Sequence, residues 1–267
     1  MSVLRQKFRR PLKPKRYRAT RLFPSVLTSA GVACGLLAII HCMDGAAELA
    51  AWMILVAFVC DALDGKIAKL LKVSSPLGVQ LDSLGDVISF GVAPAMMLRT
   101  VLYPTSHKLG ISLMLAYVLC TALRLARYNV MSSDAPRLHF TGLPCPAAAG
   151  LLASTVLVLK LHNVDLSVIG PLRVGIHIMT VILSILMVSR VPYPDLMVRY
   201  LERRSNFSHT VAIALGVSLG ILNPQATMVL CFGAYVLLGP VLLRHDRRVH
   251  VTKSDGEVVS VGRDVEK

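Results

Sequence analysis

The sequence predicts an all-α, polytopic membrane bundle of about eight transmembrane helices with both termini in the cytoplasm. Three observations carry this. Of the 267 residues, 54% are apolar and 16% charged, whereas a soluble domain carries about 25% charged residues. Apolar runs of the roughly 20 residues needed to cross a bilayer recur along the chain. The basic residues fall almost entirely on one side of the resulting topology. This composition excludes a disordered chain, a collagen-like repeat and a disulfide scaffold.

The elements follow in order. Residues 1–21 form a basic cytoplasmic arm with nine Lys or Arg from Arg5 to Arg21 and no acid. Residues 22–243 form the transmembrane domain, with spans expected at 23–43, 46–68, 76–98, 109–127, 146–161, 172–189, 209–222 and 226–243. Residues 244–267 form a cytoplasmic tail with six more basic residues, counted from Arg244. The first apolar run, Val26 to Met43, is followed by Gly45-Ala46-Ala47, as in a secretory signal, but it outruns the about 7–15 residues of a signal core and reads as an uncleaved span. Turns are expected at Ser74-Ser75-Pro76, Tyr103-Pro104, Gly142 to Pro146, Pro192 to Pro194 and Asn223-Pro224.

Charge tests this topology. With the N-terminus inside, 25 of the 29 Lys and Arg are cytoplasmic, and only Arg99, Lys108, Lys160 and Arg173 lie outside. The net charge of +14 therefore sits in flanks beside apolar spans. That placement suits anionic lipids of the inner leaflet as partners, not nucleic acid. The six cysteines form no C-x-x-C pair and read as free thiols in apolar surroundings.

Four acids fall inside spans two and three: Asp61, Asp64, Asp82 and Asp86. Each costs about 2.5–3.5 kcal/mol at the centre of a span, so such residues mark function and need compensating cations. Few basic residues are available at that depth. Asp61 and Asp64 are three apart and Asp82 and Asp86 four apart, so each pair shares a helix face. The two spans are antiparallel around one cytoplasmic hairpin, which brings the pairs to similar depth. Carboxylates are hard ligands suited to Mg²⁺ or Mn²⁺, and four of them can hold two ions for an in-line phosphoryl displacement.

Around these acids runs Asp61-x-x-Asp64-Gly65-x-x-Ala68-Lys69, eight residues, then Gly78-x-x-x-Asp82-x-x-x-Asp86. This resembles the signature D-x-x-D-G-x-x-A-R-x8-G-x-x-x-D-x-x-x-D of the CDP-alcohol phosphatidyltransferase family, with Lys69 in place of its Arg. Further stretches are similar to the phosphatidylserine synthase branch: Ser89-Phe90-Gly91-Val92-Ala93-Pro94, Ala122 to Asn129, Gly142-Leu143-Pro144-Cys145-Pro146 and Ser189-Arg190-Val191-Pro192. The resemblance covers about Leu22 to Pro194. Within Thr28 to Gly35 the branch usually carries Asn where this chain has Gly31.

The resemblance implies an enzyme of phospholipid biosynthesis that moves the phosphatidyl group from CDP-diacylglycerol to L-serine, giving phosphatidylserine and CMP. It implies that Asp61, Asp64, Asp82 and Asp86 share two divalent ions, with Asp86 as general base. Gly65, Ala68, Lys69, Gly78 and Thr28 would contact the CDP group. Arg124 and Arg127, at the inner end of span four, are candidates for the serine carboxylate, with Asn129 as a further polar contact. Both Arg also fit a purely topogenic or lipid-phosphate role. A homodimer in a bacterial inner membrane, with its site near the cytoplasmic face, is the expected setting. Other acceptors (glycerol 3-phosphate, inositol or choline) would leave the metal site unchanged. A non-catalytic member is a further alternative, given Gly31 and Lys69. An ion channel would need polar groups across the whole bilayer, and the later spans hold almost no acids.

Overall fold

A computed structural model of the chain describes residues 14–71, 76–102, 108–131, 139–164, 170–194 and 223–254. Helices dominate these segments: α1 (Pro14–Met43), α2 (Ala47–Leu71), α3 (Pro76–Asp86), α4 (Ala93–Leu102), α5 (Lys108–Met131), α6 (Cys145–Leu161), α7 (Gly170–Val188) and α8 (Pro224–Ser254). Seven of the eight expected spans fall on these helices, α3 and α4 together forming the third. The expected span 209–222 lies outside the described residues.

Among the described residues, four helical stretches are long and apolar enough to cross a membrane: Val26–Met43, Gly78–Leu102, Gly110–Val130 and Gly170–Val188. Shorter apolar helices occupy Cys145–Leu161 and Pro224–Gly239. Large apolar side chains face outward, including Leu115, Leu119 and Leu123 on α5 and Val174, Ile178 and Ile185 on α7. In water such stripes would be unfavourable; against acyl chains they are the expected surface. The protein is an integral membrane protein.

Two features depart from the expected run of plain helices. Between α3 and α4 the helix passes through a π-helical stretch, Val87–Val92, which begins directly after Asp86. In addition, a short antiparallel ladder pairs β1 (His139–Thr141) with β2 (Pro192–Pro194), with Phe140 opposite Tyr193. It joins the segment before α6 to the segment after α7; β2 falls on the turn expected at Pro192 to Pro194, and β1 ends just before the one expected at Gly142.

Packing relies on small residues, which let helix backbones approach closely. The turn from α1 to α2 closes with Gly45 at φ +76, its N–H donating to Cys42 O (3.2 Å), and Ala46 N–H donating to His41 O (2.8 Å). That is the left-handed helix stop that glycine accommodates without strain. Gly35 of α1 lies against the π stretch so tightly that a Cβ there would sit 2.8 Å from Ser89 Cα. Central helix α6 buries Ala147, Ala148, Ala149, Gly150 and Ala153. Phe232 of α8 packs on Gly150 and meets Phe58 of α2 edge to face, with ring centroids 5.3 Å apart. Buried Tyr193 of β2 donates its hydroxyl to Val236 O (3.1 Å), which fixes α8 to the ladder.

Candidate active site

The α1–α2 hairpin and the α3–π–α4 helix frame an open cleft. Its lining includes Thr28 and Gly31 from α1, Asp61 and Asp64 from α2, and Asp82, Asp86 and Ser89 from the third span. One carboxylate oxygen each from Asp61, Asp64 and Asp82 lie within 4.8 Å of one another. Helical spacing puts Asp61 and Asp64 on one face of α2, and the hairpin partner α3 supplies Asp82. Asp64 is buried, and Asp61 and Asp82 are partly buried. Asp86, one turn beyond Asp82, lines the same cleft but stands outside this three-carboxylate group.

Thr28 donates its hydroxyl to Asp64 Oδ2 at 2.8 Å. Its visible partner is thus an acid of the cluster, and the hydrogen bond fixes the direction in which Asp64 offers its remaining lone pairs. Ser89, in the π stretch, donates to Gly31 O at 3.2 Å. This ties α1 to the third span beside Asp86. A Cβ on Gly31 would meet Cys60 Cβ at 3.5 Å, an ordinary contact.

The other expected site residues separate by role. Gly65 faces open space: a Cβ there would have nothing within 4 Å. Gly78 is partly buried near the start of α3 and is not among the residues lining the cleft. Ala68 and Lys69 lie in α2, but their side chains fall outside the described residues. Arg127 donates to Val188 O (2.8 Å) and Ser189 O (3.0 Å), so its guanidinium caps the end of α7. Asn129 Nδ2 donates to Ser83 Oγ at 2.9 Å, bracing α5 against α3 next to Asp82. Arg124 is buried within the bundle and donates to Cys145 Sγ at 3.1 Å.

Thr28, Ser83, Ser89 and Cys145 thus support the acids and Arg124. The roles of Ser83, Ser89 and Cys145 were not predicted by the sequence. Ser89 and Cys145 do fall in the quoted motif stretches, but a motif names no partner.

The donor set suits a divalent cation. Three hard oxygen donors converge, and among the described residues no ion pair offsets their charge. A cluster of this kind is unfavourable in a membrane unless a cation joins it.

The sequence profile described as CDP-alcohol phosphatidyltransferase matches residues 21–188. The chain is 29% identical over 219 residues to a Helicobacter pylori protein named CDP-diacylglycerol–serine O-phosphatidyltransferase, covering 82% of this chain and 89% of that one. A Bacillus subtilis protein of the same name is 34% identical over 171 residues, 64% of this chain and 89% of that one. A Mycobacterium bovis protein, also so named, is 36% identical over 152 residues, 53% of each chain.

Proposed function

The chain belongs to the CDP-alcohol phosphatidyltransferase family, and from that premise we propose that it transfers the phosphatidyl group of CDP-diacylglycerol to L-serine. The observation that carries this is the convergence of Asp61, Asp64 and Asp82 on one cleft, in a chain similar to proteins that bear this activity in their names.

In this reading Asp61, Asp64, Asp82 and Asp86 would hold two divalent ions, Mg²⁺ or Mn²⁺. When bound, such ions neutralise the diphosphate charge and favour in-line displacement. Thr28 orients Asp64. Asp86 takes the proton of the serine hydroxyl as the serine oxygen bonds to the β-phosphorus. The bond from that phosphorus to the bridging oxygen breaks, and CMP leaves with that oxygen. Arg124 is assigned the serine carboxylate, since both terminal nitrogens of Arg127 are engaged at the end of α7. Gly65, Ala68, Lys69 and Gly78 are assigned to the CDP side of the site, and Asn129 holds α3 in place.

The setting follows from charge and chemistry. The 25 basic residues on one side support eight spans with both ends cytoplasmic, around a domain at 22–243 flanked by the arm 1–21 and the tail 244–267. The acyl chains of the donor stay in the bilayer of a bacterial inner membrane while its head enters a cleft near the cytoplasmic face. Anionic lipids bind the basic flanks, and the enzyme works as a homodimer.

The test is CMP release by purified protein from CDP-diacylglycerol, with Mn²⁺ and each of serine, glycerol 3-phosphate, inositol and choline. Serine alone should drive release and be recovered in the lipid product. Preference for another acceptor would overturn the substrate assignment, and no CMP release with any acceptor would overturn the enzyme assignment.

A further inference from the structure

Arg124 is 7% exposed, yet its guanidinium rests on a weak partner. Its Nη1 donates to Cys145 Sγ at 3.1 Å, and Nε is buried with no hydrogen-bond partner. A thiol is a poor acceptor for a full positive charge, and a buried cation without an anion is strongly unfavourable. Asp86 lies within electrostatic reach. Among the described residues, however, no hydrogen bond or ion pair joins it to Arg124. The guanidinium therefore has donors to spare within electrostatic reach of Asp86.

Cys145 is itself fully buried in the first turn of α6. The backbone leading to it is fixed: Gly142 N–H donates to Val191 O (2.8 Å) and Leu143 N–H donates to Leu186 O (3.1 Å). Gly142 has φ +86, and a Cβ there would press on Ser189 O at 3.0 Å. The sulfur thus sits at the end of a rigid loop bolted to α7, whereas Arg124 has a long, flexible stem.

We infer that Cys145 is a positioning residue for acceptor recognition: its sulfur holds Arg124 by Nη1 and leaves the remaining N–H groups for the anionic group of the acceptor, which in serine is the carboxylate. This rests on the proposed function. Serine carries its hydroxyl and carboxylate two carbons apart, so one molecule can address Asp86 and Arg124 together.

The experiment uses the full chain in detergent or nanodiscs. It measures CMP release against serine, CDP-diacylglycerol and L-serine methyl ester, which keeps the hydroxyl but lacks the carboxylate charge. Cys145→Ala and the better-filled Cys145→Val should raise KM for serine about tenfold, with kcat and KM for CDP-diacylglycerol within about twofold of wild type. Preference for serine over its methyl ester should fall by a similar factor. Cys145→Ser keeps an acceptor atom and should stay within about twofold of wild type on every parameter. An unchanged serine KM in the Ala and Val variants would overturn the inference. So would parallel loss for both substrates, or a Ser variant as impaired as Ala. If the wild type uses glycerol 3-phosphate and not serine, the substrate reading fails by itself. The same variants assayed with that anionic acceptor then decide the role of Cys145: a selective rise in its KM upholds the inference, and no change overturns it.

Discussion

Thr28→Val removes one hydroxyl and keeps the shape of the side chain. In the structure that hydroxyl donates to Asp64 Oδ2 at 2.8 Å, on an acid that is 7% exposed. A hydrogen bond to a charged group contributes about 1.5–3 kcal/mol, and outer partners of metal ligands typically change metal affinity by roughly 10–100-fold. Taking the lower end of that range for a single neutral donor gives about tenfold. The assay is CMP release titrated with Mn²⁺ at saturating CDP-diacylglycerol and serine. The Mn²⁺ concentration for half-maximal rate should rise about tenfold, and excess Mn²⁺ should restore most of the rate. An unchanged Mn²⁺ requirement with a raised KM for CDP-diacylglycerol would refute the reasoning. It would assign Thr28 directly to the nucleotide, the role expected from the sequence resemblance.

Asp86→Asn should lower turnover by about 10²–10⁴-fold, the scale of a lost general base, while Mn²⁺ binding at Asp61, Asp64 and Asp82 persists by electron paramagnetic resonance. Substantial retained turnover would remove Asp86 from the mechanism. Gly35→Ala forces a Cβ to 2.8 Å from Ser89 Cα; thermal unfolding in detergent should show a loss of about 1–3 kcal/mol, and an unshifted midpoint would contradict the packing of α1 on the π stretch. Arg127→Ala strips two carbonyl partners from the end of α7 and should destabilise the protein by about 1–3 kcal/mol with KM for serine little changed. A selective rise in that KM would return Arg127 to the acceptor site.

The acids of the site were legible in the sequence because helical spacing fixes which side chains share a face. Asp61 with Asp64, and Asp82 on the adjoining span, needed only a hairpin to bring them together. What that spacing cannot fix is the partner of a polar residue on another helix. Thr28 and Asp64 are 36 residues apart, and Arg127 and Val188 are 61 apart. A basic residue at the end of a span fits topology, substrate or helix capping equally well until the neighbouring helix is known. The π stretch after Asp86 leaves no periodic signal over six residues. Its sequence trace is the small residues: Gly91 packs on Thr121, and Gly35 opposite lets α1 approach Ser89. The β1–β2 ladder leaves little trace in the sequence because its strands are three residues long, and β2, with Pro at both ends, looks like the turn expected there.

The central claim is that three carboxylates from two neighbouring helices make one cation site. Mn²⁺ binding to the purified chain, followed by electron paramagnetic resonance without substrates, tests it most directly. Wild type should bind Mn²⁺ at a saturable site that Mg²⁺ displaces, and Asp61→Asn, Asp64→Asn and Asp82→Asn should each weaken that binding by at least about tenfold. Equal Mn²⁺ affinity in wild type and all three variants would contradict the account.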